Sequence, residues 1–249
     1  IGLEHKMGIH ASPTCVMEYS GATGWLVGEP NKGLAAMFTM MNSARLNVGL
    51  EGVGVAEAAL QAATEYAGQR KQGSAPGVEG SAAIIHHPDV QRSIASMAAA
   101  TQAARAICYA CGAAADLATH ATDPAVRASA KMREDFLTPL AKGWSTDRAV
   151  DVCNTGVQIH GGMGFMGETA AAQLYLDARI LPIYEGTNGI QAMDLIGRKL
   201  SMNNGAAAAE LMEEARQTAR EARETNDPRF VSIADRLEDA VDVLGEATE

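Results

Sequence analysis

The hydrophobic positions change period once, near the start of the chain, and then keep the new period almost to its end. From Ile1 to Glu29 the apolar residues come in short runs, Cys15-Val16-Met17 and Trp25-Leu26-Val27, punctuated by Gly8, Pro13, Gly21 and Gly24. That pattern reads as short strands with turns. After Asn31-Lys32-Gly33, Leu34, Met37, Met41, Ala44 and Val48 recur at intervals of three and four, the spacing that lines one side of an α-helix. A neighbouring stripe carries Phe38, Asn42, Arg45, Gly49 and Gly52. Glycine costs a helix about 1 kcal/mol relative to alanine, so two on one stripe point to the close approach of another helix or of a ligand. This helix is expected to run to Arg70.

Gly73-Ser74-Ala75-Pro76-Gly77 breaks the pattern. A second helix is expected from Asp89 to His120 and a third from Pro124 to Leu140. A fourth, capped by Ser145 or Thr146, would carry Val150, Val152, Val157 and Ile159 toward Gly161-Gly162. Helices of this length with short connections suit an antiparallel bundle. The tail differs: Gly205 to Thr225 is charged and alanine-rich, with Leu211 almost its only large apolar side chain. Asn226-Asp227-Pro228 breaks it, and Phe230, Ile233, Leu237, Val241 and Leu244 then share a helical face. A helical hairpin appended to the bundle is expected.

Composition supports a mainly α fold. The 249 residues are 47% hydrophobic but only 4% aromatic, with 12 methionines, and alanine and methionine are good helix formers and poor strand fillers. A net charge of −10 argues against a general affinity for nucleic acid. No apolar run is long enough to cross a membrane, and the cytoplasm is the default location. The four cysteines make no disulfide framework. Cys108-x-x-Cys111 has no second pair, and its alanine-rich surroundings read as a buried helix rather than a metal site.

One stretch combines a carboxylate with unusual backbone. Ile183-Tyr184-Glu185-Gly186-Thr187-Asn188-Gly189 follows a helix-ending Pro182, and Thr187 or Asn188 can cap a new helix toward Leu200. Glu185 thus falls on a short connection beside two apolar neighbours. Low polarity makes a carboxylate a better proton acceptor, while a helix N-terminus works against that. On spacing alone, an exposed loop glutamate and a general base both remain open.

The stretch resembles the catalytic-glutamate signature of the acyl-CoA dehydrogenase family. Three further signatures are similar and occur in the family's order: Lys6-Met7-Gly8-Ile9-His10-Ala11-Ser12-Pro13-Thr14, Glu65-Tyr66-Ala67-Gly68-Gln69-Arg70-Lys71-Gln72-Gly73, and Gln158-Ile159-His160-Gly161-Gly162-Met163-Gly164-Phe165 with Asp177-Ala178-Arg179. The resemblance covers roughly residues 1 to 200. It implies that residues 1–31 close a middle β-domain, that 32–200 are the C-terminal helical bundle, and that 201–249 belong to a helical extension. That extension resembles the larger bacterial branch that includes methylmercaptopropionyl-CoA dehydrogenases. The resemblance further implies a fragment lacking the N-terminal helical domain and most of the β-domain, inactive by itself.

By the same resemblance, Glu185 removes the α-proton of an acyl-CoA thioester while the β-hydrogen leaves as hydride to FAD. The Glu185 backbone N–H would help to hold the thioester carbonyl. Arg45, Tyr184 and Gly186 would line the substrate site. Arg70 would approach the FAD pyrophosphate, Thr187 the flavin side, and Gln158 with Gly161 and Gly162 the adenosine-diphosphate part across a subunit interface. A homo-oligomer and an electron-transfer flavoprotein partner are implied. Departures from the family pattern are Gly189 in place of Glu or Gln, Gln173 in place of a basic residue, Pro88 for glutamine and Asn42 for aspartate. Ala44 holds the place of an alternative base, which leaves Glu185 as the candidate. The competing readings are an acyl-CoA oxidase and a noncatalytic binding relative.

Overall fold

The computed structural model describes residues 1–225 and 227–248. Three long helices form its centre, α1 (Gly33–Gln69), α2 (Pro88–His120) and α3 (Pro124–His160). Asp123 starts α3 by accepting the Ala125 N–H at 2.8 Å, with Pro124 in the first turn where its missing N–H costs nothing. Consecutive helices are antiparallel: Arg105 of α2 pairs with Glu57 of α1, Cys108 faces Ser145, and Met97 faces Gly156. α1 and α3 therefore run side by side in the same direction, with Gly49 against Ala141 and Tyr66 stacked on His160.

That parallel seam is made of small residues. Ala56, Ala59, Ala63 and Ala67 are buried along α1, and a Cβ on Gly49 would stand 2.6 Å from the Ala141 carbonyl oxygen. At Gly52 it would stand 3.3 Å from the Ser145 carbonyl oxygen. Of the two explanations for these glycines, close approach of a helix is the one observed. The stripe expected to be core is corrected: Val48 is buried, but Leu34 and Met37 are exposed. Backbones can touch where Gly and Ala face each other, and the seam stops where bulky side chains begin.

The third and fourth helices are one. α3 continues through Pro139, although an interior proline removes a donor and costs about 3 kcal/mol. Burial of Phe136, Leu137 and Ala141 around it opposes that cost. Ser145 and Thr146 are buried in mid-helix, and Thr146 donates to the Lys142 carbonyl at 2.7 Å instead of capping a helix start.

At the N-terminus β1 (Gly2–Leu3) and β2 (Cys15–Val16) pair antiparallel. Trp25-Leu26-Val27, also expected as a strand, stays exposed without ladder bonds; an apolar run becomes a strand only with a partner. The segment between the strands is pinned to α4 (Ala170–Ala178), where the Ile9 N–H donates to Asp177 at 2.5 Å. In the tail, α6 (Ala206–Glu224) and α7 (Pro228–Thr248) form the expected hairpin. Ala219 and Ala234 are fully buried in it, and Arg223 of α6 pairs with Asp235 and Glu238 of α7. The predicted apolar face of α7 is only partly used, since Phe230, Ile233 and Leu244 remain exposed. Of the break expected there, Asn226 lies outside the described residues. Among the described residues no helix is long and apolar enough to cross a membrane.

Candidate functional site

Between α4 and α5 (Asn188–Asp194) the chain makes a tight loop. The Ile183 N–H donates to the Ile180 carbonyl at 2.8 Å, and the Asn188 N–H closes back on the Pro182 carbonyl at 3.0 Å. Thr187 caps α5, its hydroxyl oxygen accepting the Ile190 N–H at 3.4 Å. Inside this closure Glu185 has φ +54° and Gly186 φ +85°. Gly186 takes that conformation without a steric penalty, whereas Glu185 carries a cost on the order of 1 kcal/mol. Glu185 is half-buried, and among the described residues neither its carboxylate nor its backbone N–H has a hydrogen-bond partner.

Tyr184 anchors the loop to α1 by donating its phenol to Glu51. Burial first, then that hydrogen bond and the charges of Glu51 and Glu185, push the phenol above its ordinary value. Ile183 and Tyr184, with Met7, Ile180, Arg179 and Lys6, line a largely apolar cavity of about 700 Å³.

On the inner side of the loop lies Arg45, buried against Asp194 at 3.4 Å; Arg198 also reaches Asp194, at 2.7 Å. A Cβ on Gly186 would be 2.9 Å from Gln191 Nε2 and 3.8 Å from an Arg45 terminal nitrogen. Among the described residues Arg45 Nε and Gln191 Oε1 are buried without partners. Lys142 of α3 completes the cluster: it is 0% exposed, and its ammonium donates to Asn188 Oδ1 at 2.9 Å. Burial chiefly, with Arg45 adding to it against Asp147 and Glu185, lowers its pKa to about 8.

The fold therefore brings together Arg45, Tyr184, Glu185, Gly186 and Thr187, and holds Arg70, Gln158, Gly161 and Gly162 elsewhere. Gln158 is sixteen residues beyond Lys142 on one helix, roughly 24 Å. The Tyr66–His160 stack, ring centroids 4.4 Å apart, sets Arg70 at the same end of the bundle as Gly161. There Arg70 and Gln158 are exposed, the Arg70 guanidinium donating to Gln72 at 3.3 Å, and Gly161 turns at φ +60° with nothing within 4 Å of a would-be Cβ among the described residues. An exposed guanidinium, an exposed amide and an open glycine turn fit a dinucleotide bearing phosphates.

Lys142, Gln191 and Asp194 escaped the sequence reading, and Asn188 entered it only as a candidate helix cap. A signal existed for the first: Lys142, Thr146 and Ala149 share a helical stripe, but only on a helix unbroken at Pro139. The departures are accounted for locally in two cases, Pro88 as the first residue of α2 and Gln173 as a donor to Asp177 at 2.7 Å. Cys108, Cys111 and Cys153 are core residues, burial pushing the Cys111 thiol up to about 11 and that of Cys153 to about 12. Among the described residues no His, Cys, Asp and Glu cluster could hold a metal.

Residues 31–201 match the family model described as acyl-CoA dehydrogenase, C-terminal domain. The 3-methylmercaptopropionyl-CoA dehydrogenase of Ruegeria pomeroyi is 55% identical over 86% of this chain and 36% of its own length. Among solved structures, the butyryl-CoA dehydrogenase of Megasphaera elsdenii is 28% identical, with a TM-score of 0.60 over 80% of this chain and 48% of that one. The Caenorhabditis elegans protein ACDH-11, determined with C11-CoA, shares the fold with a TM-score of 0.74 at 23% identity, over 90% of this chain and 38% of that one. The chain thus spans about a third of the length of the curated relative it matches at 55% identity.

Proposed function

The chain belongs to the acyl-CoA dehydrogenase family, and from that premise we propose that it carries the base and part of the cofactor site of an enzyme that desaturates acyl-CoA thioesters at the α,β-bond. Glu185 accepts the α-proton. Its own N–H, together with a second donor, holds the thioester carbonyl, so that charge developing on the oxygen meets an oriented dipole. Arg45 and Gly186 set the inner wall beneath the thioester, and Tyr184 borders the acyl group. FAD, when bound, supplies the hydride acceptor. Arg70 holds the pyrophosphate, Thr187 the flavin side, and Gln158 with Gly161 and Gly162 the adenosine-diphosphate portion from a neighbouring subunit. Electrons leave to an electron-transfer flavoprotein.

The observation that carries this reading is the loop at Glu185. Among the described residues a half-buried carboxylate is held in a costly backbone conformation with both its side chain and its N–H uncommitted, directly after Ile183 and Tyr184, which line a cavity. An ordinary surface glutamate has no use for that strain. The name of the Ruegeria relative makes 3-methylmercaptopropionyl-CoA a first substrate to try, with butyryl-CoA as the short-chain comparison.

The test is Glu185→Gln in the full-length flavin-loaded protein. The amide keeps the shape and removes the base, so acyl-CoA should still bind while anaerobic flavin bleaching is lost. Bleaching at the wild-type rate rejects Glu185 as the base. Peroxide as the main reduced product in the wild type would mark an oxidase instead.

A further inference from the structure

Among the described residues Lys142 is the largest fully buried side chain. An ammonium taken out of water costs several kcal/mol unless a counter-charge and hydrogen bonds replace the water. Among the described residues Lys142 forms no ion pair within 4.0 Å, and its side-chain hydrogen bond goes to a neutral amide, Asn188 Oδ1 at 2.9 Å. The charged groups that face it are Asp147 on its own helix, Arg45 from α1 and Glu185 from the loop. A methionine would fill the same space at less cost, so stability does not explain the lysine.

What its ammonium touches is informative. Asn188 is the first residue of α5, directly after the Thr187 cap and three positions from Glu185. Its N–H closes the loop onto the Pro182 carbonyl at 3.0 Å. Its side-chain amide donates to the Gly143 carbonyl and to Asp147, at 2.9 and 2.8 Å. The loop between those fixed points holds two left-handed residues in succession and few hydrogen bonds of its own. Such a turn relaxes unless its ends are over-determined.

We propose that Lys142 is a positioning residue: through Asn188 it clamps the start of α5 to α3 and holds the Glu185 turn in its working conformation. The inference rests on the reading of Glu185 as the base, but the clamp can be measured without substrate or flavin. Hydrogen exchange on this chain, in Lys142→Met, Asn188→Ala and the double variant, is the direct test. Losing a charge-assisted hydrogen bond should speed exchange at Asn188, Ile190 and Gln191 by about ten- to a hundredfold, while amides in the α1–α2–α3 core keep their rates. The double variant should be no faster than Asn188→Ala alone, and Lys142→Met should melt no lower than wild type.

In the full-length flavin-loaded protein, Lys142→Met should slow flavin reduction by about tenfold or more, with acyl-CoA affinity within about threefold, because only the turn is displaced. Unchanged exchange across residues 183–191 overturns the proposal, as does acceleration spread equally over the molecule or additive effects in the double variant. Asn188→Ala leaves the buried helix face intact. Wild-type loop protection in that variant overturns the proposal even where Lys142→Met does not fold. Flavin reduction that survives Glu185→Gln removes the base reading but leaves the exchange result to judge the clamp on its own.

Discussion

Gln191 donates its side-chain amide to the carbonyl of Gly186 at 3.2 Å, so the first turn of α5 folds back on the loop that precedes it. The same amide nitrogen would stand 2.9 Å from a Cβ at Gly186, a residue with φ +85°. The turn is thus fixed twice, by backbone conformation and by a buried side chain seated against it.

Gly186→Ala should therefore destabilise the chain by about 1–3 kcal/mol, through left-handed strain plus displacement of Gln191. It should also slow flavin reduction in the full-length protein far more than it weakens acyl-CoA binding. Thermal melting and stopped-flow reduction check the two parts separately.

Gly49→Ala sets two effects against each other. Alanine favours the helix by about 1 kcal/mol. The added methyl, however, would meet the Ala141 carbonyl oxygen at 2.6 Å, which two packed backbones cannot relieve without separating. Overpacking of this kind costs about 1–3 kcal/mol, so a net loss of melting temperature is expected. The same change at solvent-exposed Gly54, where no atom lies within 4 Å of the Cβ position, should raise it.

The lowered pKa of Lys142 makes a stability prediction of definite sign. Between about 8 in the folded chain and the ordinary 10.5, the unfolded chain binds more protons, so this group's contribution improves as pH rises through that window. Below it, the buried charge costs on the order of 3 kcal/mol. Denaturant titrations at pH 7.5 and 10 should show Lys142→Met more stable than wild type at the lower pH, with the gap narrowing at the higher one.

Arg70→Ala tests the other end of the bundle. Its guanidinium is exposed and, among the described residues, donates only to Gln72, so the fold should not notice its loss. Removal of a charged hydrogen bond to pyrophosphate should cost about 1.5–3 kcal/mol, or ten- to a hundredfold in FAD affinity. FAD titration into full-length apoprotein, with light scattering to follow mass, measures this and shows whether flavin loading accompanies subunit association.

Much of this was legible in the sequence because the signals were local. Pro182, the Gly186 break and the Thr187 cap define the Glu185 loop within six residues, and the structure has each in place. Gly49 and Gly52 announced a close contact by their cost alone. The failures were non-local. Pro139 reads as a helix end, so Lys142 fell into a presumed connection, where a lysine is simply solvated. Only the packing of α1 and α2 around Phe136 and Ala141 keeps α3 whole and turns that lysine inward. Leu34 and Met37 have helical spacing as good as that of Val48, but periodicity does not say how far a neighbouring helix follows.

The unbroken α3 has a mechanical meaning. Lys142 and Gln158 are carried by one rod, hydrogen-bonded turn by turn, with no joint at Ser145 or Thr146 between them. On the proposed reading, one of these residues tends the base and the other grips a cofactor seated across a subunit boundary. Any tilt of that rod during assembly would move both together, so the spacing between proton removal and cofactor attachment is built into a single gauge rather than negotiated between two parts.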